Sequence, residues 1–385
     1  MAVKQNVPTS DDDWVRAIHD TPLQLVLVVT GGGSGAIARL LETPGASRTV
    51  LEAAVPYAAP ALANWLGAEP EHYCSSDTAR AMSMVAWQRA QHWTGDTQVA
   101  GIACTASLAS DRPKRGPHRV HLACQTAELT MTQSVEFVKG RRNRREEEAL
   151  TAALLLNVIA EAASVARLTT DLGDDEPIVS ARCDAPAPWR ELMTGALTHV
   201  LIADTDDKQH DNTPRVLFPG AFHPLHEGHR RIAAIAARRL AAPVTFELSI
   251  ENVDKPPLDY LEIERRCGQF AGVGAVCLTR APTFLGKAEL FPGATFVVGA
   301  DTIIRIAAPR YYGNDPAACR AAIQRIAALG CRFLVFGRLD DNGFVTLADL
   351  SLPSELRAIC DEVDEDAFRA DVSSTELRQA AADDE

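Results

Sequence analysis

Three histidines at three-residue intervals, His223, His226 and His229, lie between a short apolar run and an arginine- and alanine-rich stretch. The run Val216 to Phe218 reads as a buried strand, Pro219 and Gly220 end it, and a helix is expected from Arg230 to Leu240. A strand, a turn of small residues and a helix N-terminus form an anion site. First-turn N–H groups lack acceptors there, and the helix dipole adds positive potential. His226 and His229, one helical turn apart, would add two imidazole donors on the face looking into that site. The chemistry implied is the handling of phosphate groups.

Those residues need a frame. From Val216 onward, strand-like runs (Val244 to Ile250, Ala275 to Thr279, Thr295 to Val298, Phe333 to Phe336) alternate with helix-like ones (Leu258 to Phe270, Ile303 to Ala308, Ala317 to Leu329). This alternation predicts an α/β domain with a parallel sheet covered on both faces, where ligands bind beyond the carboxyl ends of strands. The suggestive residues fall at such ends. His226-Glu-Gly-His229 follows the first strand, Asn252-Val-Asp-Lys255 the second and Gly299-Ala-Asp301 the fourth. Further on, Val372-Ser-Ser-Thr-Glu-Leu-Arg378 puts hydroxyls at a helix start and an arginine one turn inside, a second anion-binding arrangement. Taken singly, each piece has a plain structural reading: a hydrogen-bonded core histidine, an N-cap at Ser373-Ser-Thr375, a helix cap at Asp301. Their combination in one α/β domain is what points to a site.

Together these pieces resemble the nucleotidylyltransferase superfamily with the His-x-Gly-His signature, over about residues 214–381, and within it the nicotinamide/nicotinate mononucleotide adenylyltransferases. The resemblance implies a Rossmann-like domain in which His226 and His229 contact the triphosphate and the charge developing on the α-phosphoryl group. It implies that Arg378 clamps the β- and γ-phosphates, and that Gly220, Phe222, Gly228, Gly299, Asp301, Ser374 and Thr375 bind the nucleotide. Lys255 would reach the phosphate of the acceptor, or the triphosphate. The reaction implied joins the AMP of ATP to a phosphorylated small molecule, foremost nicotinamide or nicotinate mononucleotide, and releases pyrophosphate. Mg2+ would be carried by the nucleotide, with no metal ligand from the protein. A cytidylyltransferase or another acceptor, and a non-catalytic nucleotide sensor or scaffold, are the alternatives. His223 stands where aspartate is usual, and Tyr311-Tyr312 departs from the expected aromatic pattern; both bear on the acceptor.

In the first half, Leu23 to Val29 reads as a buried strand that ends in Thr30-Gly-Gly-Gly-Ser-Gly35, followed by a helix from Ala36 to Leu41. Such a turn either cradles an anion or permits tight packing. Pro44-Gly-Ala-Ser47, Val55-Pro-Tyr57, Trp65-Leu-Gly67, Gly101-Ile-Ala103 at the end of a strand, and Phe137-x-x-Gly-Arg141 follow in order. With them, residues 23–165 resemble the CinA C-terminal family, whose enzymatic members deamidate nicotinamide mononucleotide with a serine nucleophile aided by a lysine and a tyrosine. Here Thr30 takes the nucleophile's place and Tyr57 matches the tyrosine. Leu62 stands where the lysine belongs, and Cys104-Thr-Ala106 replaces Gly-Pro-Gly. A hydroxyl nucleophile needs a base or a lowered pKa. The expectation is therefore a CinA-like domain without amidase activity, kept as a nucleotide-binding scaffold or oligomerisation domain, with an amidase at Thr30 as the alternative.

The chain has 385 residues, enough for two or three domains. Acidic and proline-bearing stretches at Asp171–Pro177, Ala185–Pro188 and Asp204–Asp211 divide it into residues 13–166, a partly folded linker at 167–212, and residues 213–385. Within the linker, Trp189 to Gly195 looks helical and Thr198 to Ile202 looks like a strand. The net charge of −13 argues against a general nucleic-acid binder. The basic run Lys139 to Arg145 adjoins Glu146-Glu-Glu148 and reads as a solvated helix entry or a subunit contact, which leaves room for a homo-oligomer. Nine scattered cysteines without a Cys-x-x-Cys pair fit reduced thiols and a cytoplasmic location. The most apolar long segment, Ala149 to Ala166, contains Asn157 and Glu161, so a buried helix is expected and no membrane span.

Overall fold

A computed structural model describes residues 11–96, 98–112, 114–202, 214–253, 256–340 and 343–363. The fold is α/β, built on two large sheets. Among the described residues, 11–190 with 256–262 form one compact unit, and 191–253 with 263–363 form the other. No helix among the described residues is long and apolar enough to cross a membrane.

The first unit contains β1 (Leu25–Thr30), β2 (Val50–Ala54), β3 (Ala100–Ser107), β4 (His118–Gln125), β5 (Leu129–Phe137) and β6 (Val179–Asp184), ordered β2-β1-β3-β4-β5-β6. β1 runs parallel to β2 and β3, while β3 to β6 form an antiparallel meander. Its helices are α1 (Asp11–His19), α2 (Ser34–Glu42), the single turn α3 (Ala46–Thr49), α4 (Ala59–Leu66), α5 (Ser76–Thr94) and α6 (Arg144–Ala162). Alternate β1 residues Leu25, Leu27 and Val29 join Trp14 and Ile18 of α1, Leu40 of α2 and Leu155 of α6 in one core. α6 starts at Asn143, whose side chain accepts from the Arg145 and Glu146 N–H groups while Glu146 reciprocates. It is buried on nearly all sides from Leu150 to Ala160, as its apolar run requires.

One element differs from expectation. Gly101-Ile-Ala103 does not end a strand; β3 continues through Cys104-Thr-Ala106 to Ser107. With no proline or glycine there to stop the ladder, β-compatible residues keep pairing with β4. Residues 256–262 also belong to this unit. The Tyr260 hydroxyl donates to the Ala127 carbonyl at 2.6 Å, and Arg80 pairs with Asp259 at 2.9 Å.

The second unit holds β7 (His199–Ile202), β8 (Val216–Pro219), β9 (Thr245–Ser249), β10 (Val276–Thr279), β11 (Thr295–Gly299), β12 (Arg332–Phe336) and, after a hairpin of β13 (Arg338–Asp340) and β14 (Gly343–Val345), β15 (Cys360–Val363). The order is β15-β12-β11-β8-β9-β10-β7, all parallel except β7, which runs against β10. α7 (Ala187–Thr194), whose first four residues belong to the first unit, precedes β7; α8 (Glu227–Leu240), α9 (Tyr260–Gly268, in this unit from Ile263), α10 (Phe284–Leu290), α11 (Ala300–Ile306), α12 (Pro316–Ala328) and the short α13 (Ser354–Arg357) fill the later connections. Leu217, Phe296, Val298, Phe333 and Val335 form the core with Phe291 and Ile323. The stretch 167–202 gives one strand to each sheet, β6 to the first and β7 to the second.

β15 is an addition to the five strands expected from Val216 onward. Two helices begin three residues earlier than expected. α8 starts at Glu227, with His226 as its N-cap, and α11 at Ala300, with Gly299 as its N-cap.

Candidate active site

From β8 the chain steps out to β9 and β10 on one side of the sheet, then returns to lay β11 against the other side of β8. The order therefore reverses between β8 and β11. In open parallel sheets the crevice beyond the carboxyl ends at such a reversal is where ligands bind. Two of the sequence motifs follow these two strands: Gly220 to His229 follows β8, and Gly299-Ala-Asp301 follows β11.

The loop after β8 is tightly built. Phe222 adopts φ 46°, a strained setting for a bulky residue. It is held by an aromatic cluster: its ring is 2% exposed and packs edge-on against Phe218 (5.5 Å), Phe246 (5.4 Å) and Phe270 (5.2 Å). Gly220 lies under that ring, where a Cβ would come within 2.7 Å of it. The Phe222 side chain is thus committed to the core, and a direct contact between its ring and a nucleotide does not fit this packing.

His229 occupies the third position of α8, and its ring packs against Phe222 at 5.1 Å and Phe218 at 5.9 Å. The His226 ring stacks on it, centroids 3.7 Å apart and planes 26° from parallel. The His226 backbone N–H donates to His229 Nδ1 at 3.3 Å. Burial, then the neighbouring His226, pushes the His229 pKa down to about 4, and burial also lowers that of His226. His229 is therefore neutral at pH 7. Since its Nδ1 accepts, its single ring proton sits on Nε2, which leaves Nε2–H as a donor. Gly228, in the same turn, is buried.

Sequence reasoning missed the side chains that hold this loop. Gln269, just past α9, accepts from the Leu225 N–H at 2.8 Å and donates to the Phe222 carbonyl at 3.0 Å. Arg266 donates to the Ala221 carbonyl at 3.0 Å, and Arg265 contacts His223 Nδ1. Lacking a local pattern, these residues carry no signal a single sequence could have offered. At the other strand end, Asp301 is half-exposed and pairs with Arg338 at 2.6 Å. A Cβ at Gly299 would meet only open space. Lys255, Ser374, Thr375 and Arg378 lie outside the described residues.

In the first unit the glycine-rich turn is already filled. Glu148 accepts from the Gly33 N–H (3.1 Å), the Ser34 hydroxyl (2.9 Å) and the Gly35 N–H (3.3 Å), and Arg144 donates to the Gly31 carbonyl at 2.9 Å. Gly31 has φ 76°, and a Cβ there would stand 1.8 Å from the Ala106 carbonyl oxygen, so only glycine fits. The anion cradle read from the sequence exists, and its anion is the chain's own carboxylate.

Next to it, a cavity of about 320 Å³ is lined by Thr30, Tyr57, Cys74, Thr105, Ser107 and Lys114 among others. Thr30 donates its hydroxyl proton to the Pro56 carbonyl at 3.1 Å, and Thr105 donates to the Tyr73 carbonyl at 2.8 Å. A peptide carbonyl cannot take up a nucleophile's proton as a base. Burial pushes the Cys74 thiol up, which disfavours a thiolate.

The protein is thus α/β, and the parallel sheet of its second unit reverses its strand order between β8 and β11. No protein-family profile matches the chain, and no curated protein matches it. Among solved structures, a competence-damaged protein (CinA) superfamily protein from Escherichia coli is similar at 15% identity, over 42% of this chain and 98% of that one, TM-score 0.33. The competence/damage inducible protein CihA from Agrobacterium tumefaciens is similar at 20% identity, over 40% of this chain and 98% of that one, TM-score 0.31.

Proposed function

We propose that the second unit is a nucleotidylyltransferase. It would join the AMP of ATP to the phosphate of a small acceptor, most readily nicotinamide or nicotinate mononucleotide. The observation that carries this reading is the pairing of a topological switch point with two stacked imidazoles at the N-terminus of α8. An acceptor phosphate oxygen attacks the α-phosphorus, the bond from that phosphorus to the bridging oxygen breaks, and pyrophosphate leaves with the electron pair. No covalent intermediate with the protein is needed. Positioning and charge stabilisation do the work.

Neutral imidazoles suit that task. The Nε2–H of His229 donates to a phosphoryl oxygen, and such a bond strengthens as charge builds in the transition state. The unpaired N–H groups of the first turn of α8 add to it. His226, stacked on His229, would meet the triphosphate beside it. Gly220 makes room for the Phe222 ring, whereas Gly228 and Gly299 would let backbone approach the nucleotide, and Asp301, set by Arg338, would face the nucleoside. Lys255, Ser374, Thr375 and Arg378 are assigned here by motif alone, to the acceptor phosphate and the β- and γ-phosphates. Mg2+ would enter with the triphosphate, held by phosphate oxygens and water.

The test is pyrophosphate release by the full chain with Mg2+, ATP or CTP, and a panel of phosphorylated acceptors. Turnover with ATP and a pyridine mononucleotide, falling about 100-fold or more in His229→Ala, supports the assignment. Turnover with CTP alone moves the assignment to a cytidylyltransferase. No turnover with any acceptor, or a His229→Ala variant at parental rate, overturns it.

A further inference from the structure

Apart from the stacked imidazoles, the second unit buries a polar cluster at the carboxyl ends of β9 and β10. Glu247 of β9 is 1% exposed and Lys287 of α10 is 5% exposed. Glu247 Oε1 accepts from Lys287 Nζ at 2.8 Å and from the Thr279 hydroxyl at 2.5 Å. Lys287 also donates to the Ala281 carbonyl at 2.7 Å. The other carboxylate oxygen, Oε2, is buried without a hydrogen-bond partner among the described residues, and so is Ser249 Oγ. Ser249 lies two residues beyond Glu247 and ends β9, so both side chains leave the same face of the sheet.

Protein interiors leave few polar atoms unpaired, and each one carries a cost that a partner would remove. The two atoms set the chemistry of that partner. The carboxylate oxygen only accepts, while the serine hydroxyl has a proton to give. Together they match a neutral amide, whose NH2 donates to Oε2 and whose carbonyl accepts from Oγ. The balance of charge agrees. Glu247 and Lys287 already neutralise one another. An amide leaves that balance intact, whereas a carboxylate adds an uncompensated buried charge beside Oε2.

The strand order assigns this cluster to the acceptor. β9 flanks β8 on the side away from β11, and Glu247 is in register with Pro219, the last residue of β8. Gly299-Ala-Asp301, given above to the nucleoside of ATP, follows β11. The acceptor is left the β9 side, where Lys255 also follows in sequence. Resting on the nucleotidylyltransferase reading, we infer that Glu247 and Ser249 read the acceptor's base and select a carboxamide over a carboxylate, hence nicotinamide mononucleotide over nicotinate mononucleotide.

The test compares initial rates of pyrophosphate release by the full chain with Mg2+, ATP and each of the two mononucleotides. The expected kcat/KM for the amide exceeds that for the acid about 100-fold or more. Ser249→Ala lowers the amide's kcat/KM about tenfold and the acid's less, so the ratio falls; it melts as the parent does, since Oγ bonds no described residue. Glu247→Gln keeps the shape and presents an N–H to an acid, which narrows the ratio further. Should that variant fail to fold, Ser249→Ala decides alone. Similar kcat/KM for the two acceptors, or a ratio unmoved in Ser249→Ala, would overturn the inference and leave the transferase standing, with buried water as the partner of both oxygens. No turnover with either acceptor would remove the reading on which the inference rests, and the inference with it.

Discussion

Glu148 fills the turn that Gly33 opens: its carboxylate lies 3.1 Å from the Gly33 amide nitrogen, 115 residues away in sequence, and takes the Ser34 hydroxyl proton as well. A helix N-terminus that would otherwise call for an anion from solution is thereby satisfied from within. Removing the carboxylate should reopen it. Glu148→Ala is expected to destabilise the first unit by about 1–3 kcal/mol, the cost of stranding part-buried donors. Added sulfate should restore more melting temperature to the variant than to the parent. Equal sulfate responses in the two proteins would show that the turn does not need the charge.

Acid should weaken the second unit through His229. Its pKa is about 4 when folded, against an ordinary value of 6.5. Between those values the unfolded chain binds a proton that the folded one refuses, so stability rises with pH across the window and is lost as pH falls from 6.5 toward 4. His121 of the first unit, also held near 4 by burial, acts in the same direction. The readout is therefore the difference between parent and His229→Asn in denaturant melts from pH 4 to 7. A flatter slope in the variant is expected, and parallel curves would contradict the assignment.

Gln269 should matter to catalysis without touching substrate. It bridges Leu225 and Phe222 of the loop after β8, and Gln269→Leu keeps the volume while removing both bonds. The expected cost is about 1–2 kcal/mol in stability and about tenfold in kcat/KM, because the backbone under His226 loosens. Gln269→Glu keeps the acceptor for the Leu225 N–H and should recover part of the activity. A variant with lowered stability and parental kcat/KM would assign Gln269 to folding alone.

Much of the second unit was legible because its central strands are buried on both faces and read as unbroken apolar runs, as at Phe296–Val298 and Phe333–Phe336. β15, Cys360-Asp-Glu-Val363, is an edge strand carrying two acids and gave no such signal. In the first unit β4 and β5 bury His118, Gln125, Thr130, Thr132 and Gln133, so polar residues sit where alternation would demand apolar ones and the period is masked. The spacing of His226 and His229 announced a site, since it is local. Gln269, Arg338 and Glu148 were silent because each acts through a partner brought close only by the fold.

The strand order also has a consequence for how the molecule is made. β8 cannot be flanked on both sides until β11 arrives, from residue 216 to residue 295 of synthesis. Until then its row of backbone N–H and C=O groups is open to any other strand. A nascent chain halted between β10 and β11 would hold both stacked imidazoles and still lack the strand that completes the switch point. It would instead be a sticky half-sheet, for which a separately supplied fragment beginning before Thr295 is the natural complement.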